Sequence, residues 1–227
     1  MTKKPGKFAD KSTEGSGEPA TPGGYRPPPP QENLNEAFLR ALAAVRDQQP
    51  EQMQWLGAHM AGGTWRLPVL DDVFEIDLAS GHVHTSEGGE MRLAWRILTL
   101  HYLGVKSTPP GAPPEITFPD LPAGRVYAKV YHARVNLRLC ATVGRDLTGL
   151  SAAANALGAR SAEGGDAAFD LTVFPRLPVR LIWYAADEEF EPSATLLLPR
   201  NIESFLSVED IVVLSEGLVS RLSGKEF

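Results

Sequence analysis

The sequence has 227 residues, a formal net charge of −6, 43% hydrophobic residues and a single cysteine. It is long enough to bury a sizeable core in one domain. The acidic balance argues against a nucleic-acid-binding surface, and one cysteine excludes an internal disulfide or a cysteine-held iron–sulfur cluster.

The first 31 residues are predicted to form a disordered tail rich in proline and glycine. Their only large apolar residues are Met1, Phe8 and Tyr25, too few to offset the entropy of ordering the segment. This tail carries five basic and three acidic residues, a charge of +2, so the rest of the chain carries −8. Residues 32–225 are predicted to form a single globular domain.

No membrane span is expected in this chain. The longest apolar run, residues 93–105, is interrupted by Arg96 and His101 and is too short to cross a bilayer. Met1 is followed by polar residues rather than by the apolar stretch of a signal peptide. These features predict a cytoplasmic protein.

Hydrophobic periodicity predicts the elements of the first half of the domain. Apolar residues at helical spacing indicate a helix over 34–45. A second short helix is predicted from Pro50 through Met60, ending at a Gly-Gly pair. Residues 64–85 alternate between apolar and polar and predict a small antiparallel meander, and residues 90–105 predict a buried helix.

The second half is predicted to mix helices with a final set of strands. A proline-rich loop is expected at 107–122, followed by a helix over 126–143, for which a strand is the alternative, and a helix of small residues over 147–157. Three strands are predicted over 168–177, 179–184 and 194–198. A capping box then opens a closing helix over 207–222. The fold class predicted is α+β, with a mostly antiparallel sheet packed by helices.

Several segments together resemble a known family. They are Leu93-Ala-Trp-Arg-Ile-Leu-Thr-Leu-His-Tyr-Leu103, Asp120-Leu-Pro-Ala-Gly124, Phe174-Pro-Arg-Leu-Pro178, Trp183-Tyr-Ala-Ala-Asp-Glu-Glu-Phe190 and Phe205-Leu-Ser-Val-Glu-Asp210. Their order and spacing resemble a prokaryotic family classified as a domain of unknown function and numbered 3786. Some members look as if they carry a fused iron–sulfur segment, and some lie near corrinoid-dependent methyl-transfer genes. The resemblance implies no activity for this chain.

Three consecutive acids, Asp187, Glu188 and Glu189, lie in the turn predicted between the last two strands. Such a run is typical of a solvated hairpin tip. Alternatively, two of the carboxylates could hold Mg²⁺ or Ca²⁺ together with Asp166 or Asp170. They could also act as a general acid and base if one had a raised pKa.

Arg176 lies in an apolar run close to Trp183 in the sequence. A partly buried arginine requires an anionic partner. Arg176, like Arg180 further along, is expected to pair with the acids at 187–189 across a hairpin. The alternative is that Arg176 binds a carboxylate or phosphate of a ligand in a cleft shared with those acids and Trp183.

Histidines supply the other candidate ligands. His82 and His84 share one face of a predicted strand and, with a third ligand, could chelate a transition metal. His101 lies beside Tyr102 on the apolar helix. A neutral His101 could be an axial ligand of a tetrapyrrole, and the alternative is a core histidine bonded to the backbone.

These observations favour a non-catalytic binding or accessory protein for a small ligand or a metal-bearing cofactor whose identity is unknown. A corrinoid is suggested only by the family resemblance. One alternative is a metal-dependent enzyme that uses Asp187, Glu188 and Glu189. The other is a protein-interaction module whose acidic tip docks on a basic partner.

Overall fold

The computed structural model describes residues 34–89 and 91–227. The described residues form one compact unit. The tail predicted for residues 1–31, and its boundary with the domain, lie outside the described residues.

The domain opens with two helices and a four-stranded antiparallel sheet in which the strands follow chain order. The elements are α1 (Leu34–Arg46), α2 (Pro50–Trp55), β1 (His59–Ala61), β2 (Thr64–Val69), β3 (Asp72–Asp77) and β4 (His82–Thr85). This sheet is the predicted meander. Its inner face carries apolar residues at alternate positions, of which Leu67, Phe74 and Ile76 are fully buried.

The second predicted helix was extended too far. Helix α2 ends at Trp55, and Met60 lies in β1 rather than in a helix. Gly62 and Gly63 form the two-residue turn between β1 and β2, with φ values of 61° and 87°. Only glycine adopts two such consecutive conformations without strain, so this pair favours a tight hairpin over a helix end.

Helix α3 (Leu93–Leu103) lies at the centre of the core. Trp95 packs edge-on against Phe74 of the first sheet, with ring centroids 6.2 Å apart. Tyr102, two turns later, stacks on Phe174 of the second sheet at 4.5 Å. This helix is largely apolar because both sheets and two other helices bury their apolar faces against it.

A nearly continuous helical stretch follows a proline-rich connection. That connection was predicted as a plain loop, but it contains a short strand, β5 (Pro114–Ile116), and a 3₁₀ turn, Phe118–Asp120. The stretch comprises α4 (Gly124–Tyr131), a π-helical turn (His132–Asn136), α5 (Leu137–Ala141), a 3₁₀ turn (Val143–Arg145) and α6 (Leu147–Ala156). The helix predicted over 126–143 therefore forms, and the strand alternative does not.

The second sheet has five antiparallel strands in the order β5-β9-β8-β7-β6. Its remaining strands are β6 (Arg160–Ala162), β7 (Ala167–Phe174), β8 (Leu177–Tyr184) and β9 (Ser193–Pro199). The three long strands form, but the strand predicted over 168–177 ends at Phe174, and Leu177 begins β8 after a turn at residues 175–176. Strands β5 and β6 are three residues each, too short to show a period of two in the sequence.

Helix α7 (Val208–Leu222) closes the domain after a 3₁₀ turn, Ile202–Ser204. It begins with the predicted capping box, in which Ser207 and Asp210 satisfy each other's backbone N–H groups. The fold class is therefore α+β, a single domain built on antiparallel sheets packed by helices. Among the residues described, no helix is long and apolar enough to cross a membrane.

Gly217 on α7 provides a test of the packing against α3. A Cβ at this position would lie 2.5 Å from Cζ2 of the buried Trp95. Alanine normally stabilises a helix interior by about 1 kcal/mol relative to glycine. Here we expect Gly217→Ala to lower the free energy of unfolding by about 1–3 kcal/mol, because the rigid indole cannot move aside.

Urea denaturation measures this effect. Gly111→Ala is the matched control, because a Cβ there meets nothing within 4 Å. A Gly217→Ala protein as stable as the control would contradict the close approach of α7 to Trp95.

Candidate functional site

The structure separates Arg176 from the acids that were predicted to pair with it. Arg176 lies in the turn between β7 and β8, whereas Asp187, Glu188 and Glu189 follow the other end of β8. Eight residues of strand at about 3.3 Å each place the two groups roughly 26 Å apart. The predicted ion pair across a hairpin is therefore wrong, and the two groups share no cleft.

The acidic turn is exposed and organised by Asp187. Its Oδ1 accepts hydrogen bonds from the backbone N–H groups of Glu189 at 2.8 Å and Phe190 at 2.7 Å. Glu188 and Glu189 are exposed to solvent. Asp166 lies near the start of this connection, where its Oδ2 accepts a hydrogen bond from the backbone of Ala185 at 2.8 Å. Asp187 and Asp166 therefore stabilise local backbone.

Arg180 pairs with a different acid from those predicted. Its guanidinium donates to both carboxylate oxygens of Asp170, at 2.7 and 2.9 Å, across the β7–β8 ladder. The hydrogen bond that Arg180 donates to Asp170 raises the pKa of Arg180 above its usual value. This two-point contact neutralises Asp170.

Arg176 is held by protein groups. Its Nε donates to the carbonyl of Trp55 at 2.9 Å, and its guanidinium lies 4.5 Å from the centre of the Trp55 ring. The hydroxyl of Tyr102 accepts the backbone N–H of Arg176 at 3.3 Å and donates to the carbonyl of Leu56 at 2.6 Å. Burial raises the pKa of Tyr102 well above its usual value, so the hydroxyl keeps its proton.

Trp183 also has a structural role. It is 7% exposed, and its Nε1 donates to the carbonyl of Gly144 at 2.9 Å. This bond ties the 3₁₀ turn between α5 and α6 to the second sheet. Of the residues predicted to share a site with the acidic turn, Trp183 is therefore buried and Arg176 lies at the opposite end of β8. Tyr102, predicted beside His101, is also buried.

His82 and His84 lie on the outer face of the first sheet. The cross-strand partners of His82 and His84 are Asp77 and Glu75. The Nδ1 atoms lie 2.9 Å from the Ser80 hydroxyl and from the Thr85 carbonyl oxygen, respectively. Within residues 34–89 and 91–227, no three His, Cys, Asp or Glu side chains form a group that could hold a metal ion.

His101 takes part in a chain of polar side chains that joins α3 to α7. Its Nδ1 lies 2.8 Å from Oδ1 of Asp210, and Oδ2 of Asp210 accepts a hydrogen bond from the Ser207 hydroxyl at 2.7 Å. The ring is 38% exposed. Its second nitrogen, Nε2, makes no hydrogen bond to any residue that the structure describes.

The electrostatics of this pair favour a charged imidazole. The hydrogen bond to Asp210 raises the pKa of His101, and burial offsets this effect only in part. Burial alone would raise the pKa of Asp210, but the hydrogen bonds from His101 and Ser207 outweigh it and hold that pKa below its usual value. His101 was expected either as a neutral ligand or as a core histidine bonded to the backbone, and its observed partner is the carboxylate of Asp210 rather than a backbone group.

His101 lines an open groove of about 440 Å³ between α1, α3 and the start of α7. The volume lies in the range of small-molecule sites. Small residues contribute much of its wall, together with the aromatic ring of Phe205. The lining residues are Ala41, Ala44, Leu100, His101, Gly104, Val105, Phe205, Ser207 and Asp210.

Asp210 and Ser207 are the residues that sequence reasoning missed as part of a site. The capping-box pattern identified both, but only as a helix start. In the structure Asp210 has two partners, since one carboxylate oxygen serves the cap and the other serves His101. A histidine 109 positions away in the chain gives no local signal of this contact.

The Tyr102 hydroxyl can be tested by deletion. Tyr102→Phe leaves the buried carbonyl of Leu56 without its hydrogen bond. We expect a loss of about 1–3 kcal/mol in the free energy of unfolding, measured with urea. Tyr184→Phe is the control because Tyr184 is 46% exposed. Equal effects of the two substitutions would contradict a structural role for the Tyr102 hydroxyl.

The His101–Asp210 pair predicts a pH dependence of stability. Because the pKa of His101 is raised in the folded protein, its contribution is complete below the ordinary value of 6.5 and is lost as the pH rises through the folded value. Compared with His101→Gln, the unchanged protein should therefore lose stability as the pH rises above 6.5. Urea midpoints across this range measure the difference.

Asp210 makes the opposite contribution in acid. Its pKa is lowered in the folded protein, so its stabilising effect is present above 3.8 and is lost as the pH falls through the folded value. His82→Gln is the control in both the acidic and the alkaline range, because His82 is exposed on β4. A His101→Gln protein with the same pH profile as the control would exclude the ion pair.

Comparisons with known proteins extend this description. The model of a family described as a domain of unknown function, DUF3786, matches residues 49–221. No curated protein matches the chain. No solved structure matches it either. The match spans α2 to α7 and includes both His101 and Asp210. The chain belongs to the DUF3786 family.

Proposed function

We propose that this protein is a non-catalytic binding or accessory protein that holds a small ligand or a metal-bearing cofactor in the groove beside His101. One observation carries the proposal. His101 is oriented through Nδ1 by Asp210, which is itself bonded to Ser207, and Nε2 makes no bond to a described residue. A ring fixed in this way can offer its other nitrogen to a ligand.

The carboxylate partner favours a metal-bearing cofactor over other ligands. Histidines that bind a metal through one nitrogen usually donate the other N–H to a carboxylate, a carbonyl or water, which fixes the ring and raises its basicity. A single imidazole suits a metal whose other ligands belong to the cofactor, as in a tetrapyrrole. The choice of a corrinoid among tetrapyrroles rests on the family resemblance alone.

The groove walls fit a flat, largely apolar group. Ala41, Ala44 and Gly104 have no bulky side chains, and the largely buried ring of Phe205 completes the wall beside them. Open apolar walls with a few convergent polar groups are the usual form of a cofactor site. Ser207 and Asp210 supply polar groups at the same edge of the groove.

Protons should compete with a metal for Nε2. Asp210 raises the pKa of His101, and a protonated imidazole cannot bind a metal. Binding through Nε2 should therefore strengthen as the pH rises through that raised value. A ligand that uses the groove walls alone would show no such dependence.

A spectroscopic titration tests the proposal. Aquocobinamide, a corrinoid without its own nitrogenous base, and haemin are added separately to the full chain. We expect a shift of the absorption bands at near-unit stoichiometry with at least one probe, stronger at higher pH. His101→Gln keeps a donor towards Asp210 but is a weak ligand, so it should abolish the shift.

His82→Gln is the matched control, since His82 is an exposed histidine outside the groove. It should bind the probes as the unchanged protein does. Absence of a shift with both probes, or an undiminished shift in the His101→Gln protein, would overturn the cofactor proposal.

A further inference from the structure

The long helical stretch presents an unpaired apolar surface to solvent. Val126, Val130 and Leu137 are 85%, 42% and 54% exposed, and Ala133 and Ala141 are also exposed. Successive spacings of four, three, four and four residues place all five on one side of the helix. These five residues are called the apolar strip below.

The opposite side of the same helix is buried in the core. Tyr131, Val135 and Leu139 are 2%, 0% and 0% exposed. Tyr131 also donates a hydrogen bond to Ser215 of α7 at 3.2 Å. The helix therefore cannot rotate to hide the strip, and apolar residues grouped in this way on a surface indicate an interaction site.

Positive charge marks the first end of the apolar strip. Arg125 and Lys129 are exposed on α4, and neither forms an ion pair with a residue that the structure describes. Further along, the guanidinium of Arg138 is used within the fold, where it donates to Ser220 of α7 at 2.8 Å. Arg145, which follows α5, is also exposed and forms no ion pair with a described residue, so two unpaired cations lie on α4 and one lies beyond α5.

Negative charge marks the second end. The connection from β8 to β9 holds four exposed acids and the aromatic ring of Phe190, which is 69% exposed. The acids are Asp187, Glu188, Glu189 and Glu191. This connection lies beside the end of α5, because Glu191 and Pro192 line a depression together with Leu137, Ala141 and Arg145. The four acids outnumber this one arginine, so the second end carries a net negative charge.

We propose that the apolar strip binds a second copy of this chain, with the two helices antiparallel across a twofold axis. Val126 then faces Ala141 of the other copy, Val130 faces Leu137, and Ala133 lies near the axis, where a small residue permits close approach. The acidic connection of each copy faces Arg125 and Lys129 of the other. A single rotation satisfies the apolar and the charged groups together.

The charges at the two ends of the apolar strip favour a second copy of this chain over the other classes of partner. An anionic membrane would attract Arg125 and Lys129 but would repel the four acids at the other end of the strip. An acidic protein would meet the same conflict. A second copy reversed in direction places opposite charges together at both ends.

The mass of the full chain in solution, measured by sedimentation equilibrium over a range of concentrations, tests the proposal. We expect the mass to rise from one chain towards two. Leu137→Asp should raise the dissociation constant at least about tenfold. Leu39→Asp is the matched control, because Leu39 is 62% exposed on α1 and should leave association unchanged.

A charge exchange provides the sharper test. Arg125→Glu with Lys129→Glu should weaken association, and so should Glu188→Lys with Glu189→Lys. The protein that carries all four changes should regain it, which a merely destabilised fold would not do. Circular dichroism checks that each variant is folded.

Three results would overturn the proposal. The first is the mass of one chain at all concentrations. The second is a dimer that Leu137→Asp leaves intact, because its interface would lie elsewhere. The third is a protein of one-chain mass that binds phosphatidylserine vesicles through Leu137, because the strip would then be a membrane contact.

Discussion

The burial of helix α3 between two sheets is the constraint on which the rest of the structure depends. Trp95 and Tyr102 lie two turns apart on this helix and contact Phe74 of one sheet and Phe174 of the other. Phe227 packs against Trp95 at 5.0 Å and brings the last residue into the same cluster. Aromatic side chains bury more area than any others, so this cluster dominates the core.

The packing of α3 also determines where polar side chains of the core helices can meet. The residue before Tyr102 points away from the aromatic cluster, and α7 crosses at that point with its capping box. Asp210 therefore meets His101 in a half-buried position, where a charged hydrogen bond is stronger than in water. The groove beside the pair is bounded by α1, which packs on the same helix.

The two proposals concern separate surfaces and separate chemistry. The groove combines one oriented imidazole with small and aromatic walls, as a bound cofactor requires. The apolar strip combines exposed Val and Leu side chains with opposite charges at its two ends, as a symmetric contact requires. In a family described only as a domain of unknown function, these are two surfaces whose composition core packing does not explain.

Sequence periodicity alone determined most of the helices, the three long strands, the meander and the capping box, because each depends on residues close together in the chain. It could not determine which charged groups meet. Arg176 lies eleven residues from Asp187 in sequence, but a straight strand separates the two, and the partners of Arg176 are Trp55 and Tyr102. Asp210 lies 109 residues from His101 and is its hydrogen-bond partner. Only tertiary structure decides such contacts, because the direction of each strand and the crossing of each helix set them, and neither is encoded in local spacing.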